Sequence, residues 1–328
     1  MKVVIRKRLL FFLKLLVSGG FVLWLVWRVN WGEVARRISE VDRPYLLFYI
    51  TVLLSGIAIS SKKWQVIARA KGFHRPYRDF FRAYLTGTFI NNFLPSTIGG
   101  DTYRTLWLGK RDGKLSPALS TAIFDRFTGV WAAMVFAILF SLFHLKLVFA
   151  NPFWLFLDVA IIASLSCDFA LPVLRKSLAA RSLLEKLPER IQRLVHEVMR
   201  YPLRRTTLPV LGWSLLFNLV CVGLANLVLF RALGGEVHVV EYLGVIFLVT
   251  IVSNIPISIN NIGVKEWAYA TFFGYLGASV EVAVAVAVTS RLIQMIVSFS
   301  AIPFYLRSRD ILGRETEGAA GASSLPRE

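Results

Sequence analysis

The sequence holds only two cysteines, Cys167 and Cys221, and four histidines, His74, His144, His196 and His238, among its 328 residues. Each cysteine stands in an apolar run, which reads as a buried thiol and argues against a disulfide framework. The histidines are isolated and lack the spacing of a metal site. Acids are scarce as well, 20 against 38 lysines and arginines, for a net charge of +18. No HExxH, P-loop or nucleophile elbow is present, and no G-x-G-x-x-G turn follows a strand. The common hydrolase, nucleotidase and dinucleotide-binding classes therefore drop out, and no metal or cofactor is expected. A polar linker is also missing, so nothing divides the chain into two domains.

What the sequence does hold is apolar surface. It is 56% hydrophobic, with a mean hydropathy of +0.60, above the usual range for a soluble domain. Runs of about 20 apolar residues, enough to cross a bilayer, recur along it. The expected fold is an all-α polytopic membrane protein with about six full transmembrane helices, near 9–27, 45–63, 117–143, 153–174, 208–230 and 281–306. The first run begins with Lys2, Arg6, Lys7 and Arg8 but is long and has no small-x-small cleavage site after it, so it reads as a retained span.

The bases sit between the apolar runs, as positive-inside topology and contact with anionic lipid require. Aromatic-interleaved basic patches of the RNA-binding kind are absent, which argues against a nucleic-acid partner. Lys62, Lys63, Arg69, Lys71, Arg75, Arg78 and Arg82 follow the second span, and nine bases from Arg175 to Arg205 follow the fourth. The loops 144–152 and 231–241 are poor in bases. This pattern places both termini in the cytoplasm and the protein in the cell's inner (plasma) membrane. Residues 177–205 carry apolar residues at helical spacing; they read either as a helix lying in the headgroup region or as a connector packed on the protein. Residues 313–328 are small and polar and are expected to be a disordered cytoplasmic tail, leaving 1–312 as the membrane domain.

Two apolar segments, 80–110 and 239–278, are broken in the middle by Pro, Gly and Asn. Their halves are short for a crossing and suit re-entrant hairpins, although 239–255 and 262–278 also read as a pair of full crossings. The breaks are "NNFLPSTIGGDTYR" (91–104) and "NIPISINNIGVKEW" (254–267). The first holds Asn92, Pro95, Gly100 and Asp101 in the same order as Asn254, Pro256, Gly263 and Glu266 in the second. Tyr45 precedes Asn92 by 47 residues and Leu208 precedes Asn254 by 46; Asp101 and Glu266 are each followed 25 residues later by an arginine, Arg126 and Arg291. Span, broken hairpin and arginine-bearing span thus occur twice, over about 45–143 and 208–306. The charge rule gives the copies opposite orientation, an inverted repeat of the transporter kind.

Arg126 and Arg291 fall inside their spans, where a charge costs about 2.5–3.5 kcal/mol on insertion scales. They need partners or a wet cavity, and Asp101, Asp125 and Glu266 are the available acids. The pairs read either as locks for the hairpins or as the wall of a polar cavity for a charged substrate. Ser96, Thr97, Gly99 and Gly100, and Asn260, Asn261 and Gly263 in the second copy, can open half-helices whose N–H groups favour anions. Asp101 and Glu266 can cap those helices or act on substrate. Arg104 can bind phosphate bidentately or snorkel to the surface.

"NNFLPSTIGGDTYR", "DRFTG", "NIPISINNIGVKEWA" and "SRLIQ" together resemble the lysylphosphatidylglycerol-synthase transmembrane family, the flippase-like domain at the N-terminus of multiple-peptide-resistance factors. The resemblance covers about residues 8–308. It implies a protein that moves or handles phospholipids, anionic or lipid-linked, between leaflets. It places the family's pattern on Asn92, Pro95, Gly100, Asp101 and Arg104, on Pro256, Gly263 and Glu266, and on Arg126 and Arg291. Asn260 and Asn261 stand where the family is often glycine-rich. Lysyl transfer is not expected of this chain, since the soluble aminoacyltransferase domain has no room in it. Two other functions suit the same residues: a subunit that presents lipid to a separate synthase or glycosyltransferase, and a lipid-modifying enzyme.

Overall fold

The computed structural model describes residues 2–93, 98–110, 112–150, 152–174, 188–255 and 257–307, and their regular structure is all helical. In chain order the helices are α1 (Lys2–Arg28), α2 (Trp31–Ser39), α3 (Arg43–Ala70), α4 (Tyr77–Phe93), α5 (Gly99–Gly109), α6 (Leu115–Ser141), α7 (Leu145–Ala150), α8 (Pro152–Leu174) and α9 (Glu189–Met199). The rod Leu203–Ala232 follows as α10, then α11 (Val239–Asn254), α12 (Val264–Gly274) and α13 (Val280–Arg307). Local chemistry sets several boundaries. The Asn30 side chain accepts the Glu33 N–H to open α2, Pro44 lies in the first turn of α3, and Ser279 accepts the Val282 N–H to open α13; each satisfies or removes an orphan donor of a first turn.

All six expected spans are helices. Four of them, α3, α6, α10 and α13, are long and apolar enough to cross a membrane on their own, and the α1–α2 pair, bent by 84°, makes a fifth at most. The fourth expected span reaches only a short apolar helix over its best-described part, Pro152–Ser166. Pro95 and Pro256, with Ser96 and Thr97, lie outside the described residues, as do 175–187 and the 313–328 tail.

Both broken segments form antiparallel helix pairs. In the first, the Gly100 N–H donates to the Asn91 side chain at 2.6 Å, Arg104 lies 4.3 Å over the Tyr84 ring, and Phe80 meets Trp107 at 6.3 Å. The arms therefore run back along each other from tip to base. In the second, the Asn261 amide donates to the Ser253 carbonyl near the tip, and Tyr242 meets Phe273 at 5.0 Å near the base. The returning arms have 11 residues each, about 16 Å of helix, against a hydrocarbon core of about 30 Å. The returning arms are half-helices, of the kind that re-entrant hairpins have.

The two copies match element for element. α3, α4, α5 and α6 have 28, 17, 11 and 27 residues, and α10, α11, α12 and α13 have 30, 16, 11 and 28. Their hairpins open at opposite ends. The base of the first lies beside the start of α6, where Gly109 packs on Leu115 and Ala118. The base of the second lies beside the other end of α6, where Gly244 packs on Phe140. The same holds along α13: its far end carries Phe304 next to Arg82 at the base of the first hairpin. Between them α13 runs through the core as "VAVAVA", Val282–Ala287, all nearly inaccessible; such small side chains let helices approach closely.

The described connector α9 is packed on the protein. Lys71 pairs with Glu197 at 2.6 Å, and Tyr201 just past the helix stacks on Phe124 at 4.2 Å. This favours the connector reading of 177–205 over the interfacial one.

Candidate functional site

Residues flanking the breaks of both hairpins line the seam between the repeats, where two adjoining cavities of about 370 and 430 Å³ share Ser60, Tyr84, Thr88, Thr250, Asn254 and Gln294 in their walls. The larger lies against the first hairpin and includes Lys63, Gly100, Asp101, Arg104, Asp125 and Arg126. The smaller lies against the second and includes Asn226, Asn254, Asn261, Lys265 and Tyr269, with an apolar flank of Leu53, Ile57, Phe217, Val222, Ile246 and Val249.

The first-copy charges form one chain. Arg126 Nε donates to Asp101 Oδ2, and Arg104 donates to Asp101 Oδ1 and to Asp125 Oδ2, the latter at 3.1 Å. Lys63 Nζ closes the chain on Asp125 Oδ1 at 2.9 Å. Arg104 is 4% exposed and lies over the faces of Tyr84 and Trp64. It does not snorkel, and its fork is committed to two carboxylates. Arg126 is the most open member, with a third of its side chain accessible.

The second copy repeats the acid–arginine pair in a different role. Arg291 Nε donates to Glu266 Oε1 at 3.0 Å, and its two terminal nitrogens donate to the Asn260 and Asn261 carbonyls at 3.1 Å each. Glu266 Oε2 accepts the Gly263 N–H at 2.8 Å, which caps α12. Asn260 and Asn261 have φ of 47° and 56°, and Gly263 has φ of 83°, a left-handed run that asparagine and glycine tolerate. Arg291 thus ties down the turn of the hairpin. Glu266, Gly263 and Arg291 stand behind the cavity walls rather than in them, and the N–H that opens α12 is already occupied.

The remaining sequence-derived residues sort by which way their side chains turn. Asn92 donates to Ser298 on α13, so it ties the first hairpin to the second repeat, and its neighbour Asn91 takes the cavity side. Gly99 starts α5 outside the cavity wall. Gly100 lies in it, and a Cβ there would sit 2.2 Å from the Gly87 carbonyl oxygen. That glycine is what lets the arms cross. Asn254 lines both cavities, and Asn261 lines the smaller.

Several wall residues carry no motif. Lys63 reads in the sequence as part of a basic flank, but α3 continues to Ala70 and buries it at 6% exposure. Asn218 enters through a π-helical stretch of α10, Asn218–Leu224, a deviation frequent at functional sites. Lys265 was hidden between Gly263 and Glu266; only its one-residue offset from the acid signals that it faces away from Arg291.

Comparison with known proteins follows the same outline. The family model for the lysylphosphatidylglycerol synthase TM region matches residues 11–301. A UPF0104 membrane protein of Methanothermobacter thermautotrophicus is 25% identical over 306 residues, covering 84% of this chain and 89% of the relative. A UPF0104 membrane protein of Methanocaldococcus jannaschii is 27% identical over 116 residues, 34% of each chain. No solved structure matches significantly. With both hairpins, both acid–arginine pairs and nearly all of the helical body inside the matched region, this multi-pass membrane protein belongs to the lysylphosphatidylglycerol synthase transmembrane-region family.

Proposed function

We propose that the protein carries the anionic headgroup of a phospholipid or lipid-linked substrate between leaflets through the seam cavities, while the acyl chains stay in the bilayer. One observation carries this reading. Four cations, Lys63, Arg104, Arg126 and Lys265, line the cavities against two carboxylates, Asp101 and Asp125. An excess of positive charge at membrane depth is costly unless it serves an anion. The polar larger cavity suits a headgroup, and the apolar flank of the smaller one suits the start of a chain. The inverted pair of hairpins supplies the two faces that alternating access uses. The localisation that goes with it is the cell's inner membrane, with the base-rich end, where the first hairpin opens, in the cytoplasm.

The test is leaflet exchange in reconstituted vesicles. Protein-containing vesicles are expected to speed exchange of a fluorescent phosphatidylglycerol over phosphatidylcholine, and Arg126→Gln to lose at least tenfold of that rate. No acceleration for any anionic, zwitterionic or sugar-linked lipid would sink the reading.

A further inference from the structure

The two seam cavities draw on equivalent positions of the repeat but differ in charge. Tyr45 and Leu208, which begin the two copies, are 163 positions apart, and the same offset sets Asn226 opposite Lys63. Asp101 and Glu266 are 165 apart, and that offset sets Tyr269 opposite Arg104 and Ser290 opposite Asp125. In the first copy these positions form a buried ionic chain, in which Asp125 joins Lys63 to Arg104. In the second all three are uncharged, and the Tyr269 hydroxyl donates to Asn226 Oδ1 at 3.5 Å. The acid of the second copy, Glu266, is turned away to cap α12.

The polar wall of the smaller cavity is therefore mostly neutral. Asn226, Asn254, Asn261 and Gln294 supply amides and Tyr49 a hydroxyl, and among the described residues no carboxylate lines it. Lys265, a cation of this wall, donates to the Ser290 hydroxyl at 2.9 Å. Some of the hydrogen-bonding capacity is used within the wall. Asn254 donates to the Thr250 carbonyl at 2.8 Å, and Gln294 to the Tyr49 hydroxyl at 3.4 Å. The rest is left over: Ser253 Oγ and Asn261 Oδ1 are buried in the same wall and have no hydrogen-bond partner among the described residues. A wall built only for packing would satisfy these atoms and fill the space. This one leaves about 370 Å³, within the range of small-molecule sites.

We propose that the smaller cavity binds the uncharged, hydroxyl-bearing part of the headgroup, a glycerol or an inositol or sugar ring, beside a phosphate held in the larger one. The inference rests on the headgroup-carrier reading and names its substrate class, a polyol-bearing phospholipid. Hydroxyls donate and accept, as amides do, so the two match atom for atom. A headgroup amine would need a carboxylate in that wall to replace its water. A site built to hydrogen-bond hydroxyls rejects an analogue that lacks them, because its own buried polar groups are then left unpaired.

The probes are dihexanoyl phosphatidylinositol, phosphatidylglycerol and phosphatidylethanol, which share a single phosphodiester charge and differ in hydroxyls. Dihexanoyl phosphatidylethanolamine supplies the amine, and dihexanoyl phosphatidylcholine is the reference. Each is titrated into the detergent-solubilised full chain. The tighter of the two polyol lipids is expected to bind about tenfold more tightly than phosphatidylethanol. Phosphatidylinositol as the tighter assigns a ring, and phosphatidylglycerol as the tighter assigns a glycerol; both uphold the proposal. Asn254→Leu should bring the ratio below about threefold and leave phosphatidylethanol binding unchanged. Asn226→Leu, which alters the smaller cavity alone, should do the same, and if it does not fold Asn254→Leu decides. Phosphatidylethanol or phosphatidylethanolamine binding as tightly as the polyol lipids would overturn the proposal. So would equal weakening of every lipid by Asn254→Leu. If the anionic lipids bind better than phosphatidylcholine, and lose that advantage in Arg126→Gln, but show no polyol preference, the carrier reading stands and this inference falls. If none binds better than phosphatidylcholine, both fall.

Discussion

Lys63 and Asp125 show how a single contact changes the meaning of a residue. In the sequence Lys63 adjoins Lys62 and looks like the cytoplasmic edge of a span. In the fold it lies one helix away from Asp125 at 2.9 Å, both of them almost inaccessible. Breaking a buried pair from one side costs about 3–5 kcal/mol, because the other charge is left without its partner. Lys63→Met should therefore lower the melting temperature strongly in detergent. Lys63→Met combined with Asp125→Asn should recover part of the loss, since Arg104 keeps Asp101. Gly100→Ala tests a different force. Its Cβ would meet the Gly87 carbonyl at 2.2 Å, so the arms of the hairpin must part, an overpacking cost of about 1–3 kcal/mol or more. A melting temperature unchanged by Gly100→Ala would show that the arms do not cross there.

At the scale of elements, the hairpins are held by different means. The first is tied to the opposite repeat through Asn92 and Ser298. With the native cysteines replaced by serine, cysteines at 92 and 298 are expected to cross-link under mild oxidation, and the cross-link should stop leaflet exchange until it is reduced. Exchange that continues at full rate in the cross-linked protein would show that this contact stays closed throughout the cycle. The second hairpin is held from outside the repeat. Ser18 on α1 accepts the Ile259 N–H at 2.8 Å, and Phe21 packs on Trp267 at 5.3 Å. Ser18→Ala removes a partner from a backbone donor at membrane depth, where water cannot replace it. It should lower stability by about 1–3 kcal/mol, read as a lower melting temperature.

For the whole molecule, the test is sidedness. The turn before α6 and the end of α12 lie at opposite ends of the bundle, because the hairpins open in opposite directions. In a cysteine-free background, Lys114→Cys should react with a membrane-impermeant thiol reagent only from the cytoplasmic side. Gly274→Cys should react only from the other side. Labelling of both from one side would break the inverted arrangement.

Much of this was open to reading without coordinates, and the reason is physical. A bilayer demands about 20 apolar residues per crossing, so hydropathy alone located six helices. Breaks rich in Gly, Pro and Asn marked both hairpins, since such residues persist in an apolar run only where backbone is irregular. The spacing of 25 residues from acid to arginine identified both ion pairs, because a charge at membrane depth must have a partner. What composition and spacing left open was direction. Asn91 and Asn92 differ by one helical step, yet one faces the cavity and the other holds α13. Asp101 and Glu266 occupy equivalent places, yet one lines the cavity and the other caps a helix behind it. Lys63, Asn218 and Lys265 reach the seam only because α3, a π-helical turn of α10 and the tip of α12 converge there. The sequence by itself determined the membrane class, the helices, the doubled pattern and the charged pairs, because each follows from local chemistry and the solvent. Only the tertiary structure decided which charges share a cavity and which lock a turn, because that depends on which faces of distant helices are packed together.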